Sequence, residues 1–146
     1  MMPTINAAGL DIIKQCEGCR LNAYQDVGGT WTIGYGHTGN DVSEGMTITQ
    51  EQADAFLQND LVDTENAVSD VVTYPGLTDN QFSALVSLVY NIGIGNFERS
   101  TLLSLLNGGY PKMAATHILL WNKINGQESD GLMRRRRLEY NLFLTP

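Results

Sequence analysis

The sequence predicts an α+β fold in which a small antiparallel sheet lobe is joined by a long helix to a larger helical lobe. Three observations carry this expectation. Residues 21 to 48 are aromatic and β-branched stretches broken by glycines, as in "AYQD", "TWTIGYG" and "GMTIT", the texture of short strands and tight turns. "TQEQ" at 49 to 52 and "TDNQ" at 78 to 81 match the capping box, in which a Thr oxygen and a Gln side chain satisfy free amides at a helix start. Beyond the first of these boxes, apolar residues recur at helical spacing in successive segments.

Taken in order, residues 6 to 17 read as a first helix. Asn6 can cap it, Leu10, Ile13 and Cys16 or Glu17 share a stripe, and Gly18 can supply a left-handed exit. The sheet follows from 21 to 48. A long helix over about 50 to 72 carries Phe56, Leu57, Leu61, Val68 and Val71 and is stopped by "YPG" at 74 to 76. "NQFSALVSLVYNIG" is apolar on nearly all sides and is expected to be a buried central helix ending at Gly93. Three more helices are expected at about 100 to 107, at 111 to 122 with Pro111 in the first turn, and at about 130 to 143. No repeat or linker divides the chain, so residues 1 to 146 are expected to form one domain. Its β lobe would be about 21 to 48, its helical lobe 1 to 20 and 74 to 146, and its connecting helix about 49 to 73.

A chain of 146 residues is long enough to bury roughly 68 to 70% of its unfolded surface, so no disulfide framework is required. The net charge of −7 argues against nonspecific binding to nucleic acid or anionic membranes. No run approaches the ~20 apolar residues of a membrane span. The opening "MMPTINAAGLDIIKQCEG" lacks a basic leader, so the expected address is the cytoplasm of the producing cell, where Cys16 and Cys19 would be reduced thiols. "RRRR" at 134 to 137 reads as a solvated helix surface.

Several chemistries can be set aside. Cys16 and Cys19 straddle a helix end, and His117 lies about eighty residues beyond His37 with no paired His, which is unlike a zinc site. A cysteine nucleophile wants a helix N-terminus or nearby cations, whereas these thiols stand near a helix C-terminus beside Glu17; they read as small core residues. Serine hydrolase, P-loop and dinucleotide motifs are absent, and no cofactor is implied. The glycines of "GTWTIGYGH" lie in strand texture, where they let a backbone or ligand come close.

Two carboxylates remain. Glycoside cleavage needs one neutral carboxylic acid to protonate the leaving oxygen and one ionised carboxylate to activate water or to attack. Glu17 suits the first role, because the carbonyl end of a helix disfavours negative charge and Cys16, Ile13 and Leu21 could desolvate it. Asp26 suits the second, in a polar setting where a strand meets "VGG". Thr32 shares the parity of Thr30 on the returning strand and could orient water. On residues alone, however, helix-end and turn roles are the better explanation of Glu17 and Asp26.

Glu17, eight residues, Asp26, five residues and Thr32 resemble the Glu-x₈-Asp-x₅-Thr triad of the phage-type lysozymes, the endolysins of glycoside hydrolase family 24. "EGCRLNAYQD" and "TIGYGHT" are similar to the family's blocks around that triad. "LTDNQFSALVSLVYNIG", "FERSTLLSLLNGG", Trp121 and "GLMRRRRLEYNLF" resemble its later blocks in the same order, so the likeness covers essentially the whole chain. The resemblance implies a lysozyme-like fold and inverting hydrolysis of the β-1,4 bond between N-acetylmuramic acid and N-acetylglucosamine in peptidoglycan. It assigns Glu17 as general acid, Asp26 as the group assisting water and Thr32 as its positioner. It also places Thr38, Tyr90 and Ser100 along the sugar cleft, brings one Arg of Arg134 to Arg137 near Glu17, and leaves His37 structural.

The cysteines depart from the family pattern, and some relatives with cysteines near the acid use disulfide switching with a membrane-retained segment. No such segment is read here, so a monomeric, holin-dependent endolysin for host lysis is expected, reaching the periplasm through membrane lesions. Its acidic balance implies modest activity when added from outside. The rival readings are a non-catalytic peptidoglycan-binding or tail-associated module, and a peptide-cutting endolysin using Cys and His.

Overall fold

The computed structural model describes residues 3–146. Helix α1 spans Ala7–Glu17. It begins because the Asn6 side chain accepts the Gly9 amide at 3.0 Å, and it ends where Gly18 turns left-handed at φ 69°. A three-stranded antiparallel sheet follows, of β1 (Arg20–Gln25), β2 (Trp31–Gly34) and the two-residue β3 (His37–Thr38) in the order β1-β2-β3. Register pairs Tyr24 with Thr32, Thr32 with Thr38 and Ile33 with His37. An isolated bridge joins Asn22 to Thr47.

Helix α2 covers Gln50–Val71, and α3 covers Asp79–Ile92. Both open on the expected reciprocal caps: Thr49 and Gln52 exchange bonds of 3.1 and 2.9 Å, and Thr78 and Gln81 do the same at 3.1 and 2.9 Å. Gly93, at φ 89°, closes α3. The remaining helices are α4 (Ile94–Glu98), α5 (Thr101–Asn107), α6 (Pro111–Ile118) and α7 (Asp130–Leu144). A hairpin of β4 (Lys123–Ile124) and β5 (Gln127–Glu128) lies between α6 and α7.

The chain divides into two compact units, one of Ile13–Asp63 and one combining the residues up to Ile12 with Thr64–Pro146. The first buries Ile13, Ile33, Tyr35, Val42, Ile48, Ala53, Leu57 and Leu61. The second is built on α3, whose residues from Phe82 through Val89 are all buried, and α7 packs on α3 more extensively than on any other helix. Here α1 opens against α3 so closely that a Cβ on Gly9 would stand 2.8 Å from that of Ser83. Among the described residues no helix is long and apolar enough to cross a membrane.

Three expectations are corrected. The helix expected over 111 to 122 ends at Ile118. The amides of Leu119, Leu120 and Trp121 tighten into i−3 bonds, and the Trp121 carbonyl is taken at 2.8 Å by Arg136 Nε instead of a helical amide. Asn125 and Gly126, both at positive φ (51° and 81°), then turn the chain into the β4–β5 hairpin, which the expectation lacks. Cys16 and Cys19 are not core residues: they flank the exit of α1, where Cys16 is exposed and Cys19 half-buried.

The arginine run is the third correction. Arg134 and Arg137 are exposed, but Arg135 and Arg136 are buried around Glu139, itself 0% exposed. Arg135 Nε reaches a Glu139 oxygen at 3.1 Å and its Nη2 the Ser87 carbonyl at 2.9 Å; Ser87 Oγ donates to Glu139 at 2.5 Å. Arg136 bonds Glu139 and Asn91 as well. Two cations can be buried here because one carboxylate, placed three and four residues on along the same helix, faces both.

Candidate active site

Glu17, Asp26, Thr32 and Thr38 all belong to the unit Ile13–Asp63, whereas Tyr90 and Ser100 belong to the other. Glu17 is the last residue of α1 and is half-buried. Of the groups expected to shield it, Ile13 is fully buried, while Leu21 and Cys16 are exposed. Its Oε1 lies 3.2 Å from where a Cβ on Gly36 would stand, so the "GYGH" turn between β2 and β3 leaves room for the carboxyl by lacking a side chain. Gly34 in the same turn admits Ala53 of α2, 3.5 Å from its own virtual Cβ. Close approach is thus what Gly36 serves, whereas at Gly34 the contact is ordinary and the positive φ of 65° is what favours glycine.

Gly36 also sits at φ 83°, a region that costs an L-residue roughly 1 to 2 kcal/mol. Gly36→Ala is therefore expected to lower stability by at least that amount and to displace the Glu17 carboxyl. Urea unfolding measures the first effect and the chemical shift of the Glu17 carboxyl carbon the second; a variant matching the parent in both would contradict this account.

Asp26 stands at the tip of the β1–β2 hairpin and is exposed. Its Oδ1 accepts the amides of Gly28 and Thr30, each at 2.9 Å, and its own amide donates to the Thr30 carbonyl at 2.9 Å. Thr32, 4% exposed, donates its hydroxyl to that same Thr30 carbonyl at 3.0 Å. The backbone of Thr30 therefore fixes both side chains: its N–H orients the Asp26 carboxylate and its C=O orients the Thr32 hydroxyl. Oδ2 of Asp26 takes no part in these bonds, and the Thr32 oxygen keeps its acceptor capacity. Thr38 is exposed and pairs directly across from Thr32, so the two side chains leave the sheet on one face.

In the other unit, Tyr90 is half-buried one residue beyond the buried block of α3. Ser100 is the N-cap of α5, accepting the Leu103 amide at 3.1 Å and donating to the Phe97 carbonyl at 2.6 Å. It also lines a depression of about 250 Å³ with Thr101, Leu102, His117, Leu120 and Trp121. A larger groove of about 590 Å³ adjoins it, sharing Leu120 and Trp121 and lined further by Asn91, Asn96, Lys123 and Ile124.

His37, expected to be structural, is tied down on every side. It is buried and held between carboxylates: Nδ1 faces Asp60 at 2.8 Å, Nε2 faces Asp41 at 3.0 Å, and the ring stacks on Phe56 with centroids 4.3 Å apart. Asp41 and Asp60 escape a reading of the sequence because neither belongs to a motif. The only signal is spacing, His37 to Asp41 and Phe56 to Asp60, each four apart.

The α+β frame of seven described helices and small antiparallel sheets is that of a lysozyme-type hydrolase. The comparisons narrow this. The Phage lysozyme family model matches residues 14–139. The endolysin of Salmonella phage P22 is 45% identical over 148 residues, covering 99% of this chain and all of that protein. The endolysin of Acyrthosiphon pisum secondary endosymbiont phage 1 is 45% identical over 143 residues, covering 95% and 97%. The muramidase domain of SpmX from Asticaccaulis excentricus superposes with a TM-score of 0.91 at 44% identity, over 99% of each chain. Other relatives bear the name SAR-endolysin. The chain belongs to the phage lysozyme family.

Proposed function

We propose that this lysozyme is a muramidase that cuts the β-1,4 bond between N-acetylmuramic acid and N-acetylglucosamine in peptidoglycan, lysing a bacterial host from within. Protonated Glu17 gives its proton to the glycosidic oxygen as the C1–O bond breaks. Asp26 Oδ2 takes a proton from water while the water oxygen bonds to C1. Thr32, its own proton committed to the Thr30 carbonyl, accepts a hydrogen bond from that water and holds it. The observation that carries this reading is the Thr30 peptide, which aims Asp26 and Thr32 together while Asp26 Oδ2 stays available. Thr38, beside Thr32, and Tyr90 and Ser100 are assigned to the glycan.

Mass spectrometry of fragments released from purified sacculi tests the assignment. Muramic acid at the new reducing ends is expected; glucosamine there, or cleaved peptides, would refute it. Glycan binding with no new reducing ends would favour a non-catalytic wall-binding module. Alkylation of the thiols is expected to spare activity, against a cysteine-dependent peptidase. Proton NMR of the first anomer released is expected to report inversion.

The reading extends to a monomer made in the host cytoplasm that reaches the wall through holin lesions, as the family resemblance implies. Expression with and without a holin tests this: lysis without one would place the chain with the relatives named SAR-endolysins.

A further inference from the structure

We propose that His37, gripped from both sides by Asp60 and Asp41, is a positioning residue for Thr32 and Thr38, and that its Asp41 arm releases that grip in alkaline solution. The positioning of chemistry rests on the muramidase reading; the grip itself does not.

β3 has two residues, His37 and Thr38, and its ladder to β2 consists of the pairs Ile33 with His37 and Thr32 with Thr38. So short a strand is held weakly by its backbone and depends on its side-chain anchors. Thr38 leaves one face of the sheet beside Thr32, and His37 leaves the other, toward α2. There the ring meets Phe56 face to face, with planes 1° apart, and Nδ1 meets both Asp60 oxygens at 2.8 and 3.0 Å. Nε2 meets both Asp41 oxygens at 3.0 and 3.1 Å. Gly39, between the two, has φ 147°, and a Cβ there would lie 2.9 Å from Asp41 Oδ1, so the missing side chain is what lets Asp41 fold back onto the ring.

Ionised carboxylates only accept, so both nitrogens can be satisfied together only when both carry hydrogen, that is, by the imidazolium. A neutral ring keeps one N–H and turns a lone pair toward the other carboxylate. Asp60, its side chain 23% exposed, is the more enclosed partner and Asp41, at 56%, the more solvated, so the Asp41 arm lets go. The charged groups acting on the ring are Asp60 from α2 and Asp41 from the loop after β3; β2 presents Ile33 and Thr32, neither titratable.

Burial alone disfavours the charged ring, but the hydrogen bonds to Asp60 and then Asp41, with their charges, outweigh it and raise the His37 pKa above 6.5. The hydrogen bond from His37 lowers Asp41 below 3.8. A raised histidine stabilises fully below its unfolded value and loses that contribution as pH rises through its folded value. A lowered aspartate contributes above its unfolded value and loses it as pH falls through its folded value. The grip is therefore firmest between about 3.8 and 6.5 and loosens on both sides.

The experiment is a pH titration of the uniformly ¹⁵N-labelled protein and of Asp41→Asn, followed at the His37 ring nitrogens and at the backbone amides of Thr32 and Thr38, alongside the pH profile of wall clearing. At pH 6 both ring nitrogens are expected to be protonated. On alkaline titration the two threonine amides are expected to shift with the ring's midpoint. In Asp41→Asn the ring midpoint and the alkaline limb of kcat are expected to move together toward acid, so that clearing at pH 8 relative to pH 6 falls several-fold, with KM changed less. Asp41 is exposed, and circular dichroism confirms that the variant is folded. Threonine amides that ignore the ring, or a ring midpoint unmoved in the variant, would overturn the proposal. A ring that shifts while the activity limb stays would overturn its positioning role. Absence of glycan cleavage at every pH would instead strike the muramidase reading, while the amides still decide the grip.

Discussion

Glu17→Gln is expected to reduce wall-clearing turnover by about 10² to 10⁴-fold, the range a general acid supplies. The amide keeps the shape of the side chain, so it still fits against the turn at Gly36, but it has no proton to give the leaving oxygen. Far-ultraviolet circular dichroism, the melting temperature and affinity for an uncleaved glycan are expected to change little. Turnover within a factor of about three of the parent would remove Glu17 from the chemistry. Loss of activity together with loss of the fold would show that the carboxyl supports structure.

The second large effect is one of stability. Glu139→Ala takes away the carboxylate that Arg135, Arg136 and Ser87 share in the interior of the larger unit. Breaking a buried ion pair by removing one partner typically costs about 3 to 5 kcal/mol, because the surviving charges remain desolvated. For a chain of this size that corresponds to a fall of roughly 6 to 20 °C in melting temperature. Arg134→Ala, on the exposed side of the same helix, is expected to change it by less than about 0.5 kcal/mol. Calorimetry on both variants checks the contrast; equal effects would mean that the run behaves as the uniform surface its composition suggests.

The features readable from sequence are those whose causes are local. The caps at Asn6, Thr49 and Thr78 are read correctly because donor and acceptor stand three residues apart. What escapes reading is set by distant partners. The Trp121 carbonyl, just past the end of α6, is met by Arg136 fifteen residues away, and burial of Arg135 depends on Ser87, forty-eight residues earlier. A serine in the middle of an otherwise apolar helix was the available signal, since a buried hydroxyl needs a partner. "NG" at 125 and 126 signals a hairpin, but strands of two residues carry no visible alternation. For the site, the spacing of Glu17, Asp26 and Thr32 stands out by resemblance, whereas the residues alone left turn and catalytic readings of Asp26 open. In the structure Oδ1 of Asp26 shapes the turn and Oδ2 takes no part in it, so the turn role and the proposed catalytic role do not compete for the same oxygen.

The route of the backbone through the larger unit sets the order in which the molecule can be completed during synthesis. Ile5 and Asn6 donate to Glu65 and Ser83, at 2.6 and 2.9 Å, across sixty and seventy-seven positions of chain. Asn80 then joins the two extremities, accepting from Asn6 at 2.9 Å and donating to the Thr145 carbonyl at 3.2 Å. During synthesis Ile5 therefore meets its partner only once the end of α2 has been made and Asn6 only once α3 has, each contact closing a long loop at an entropic cost.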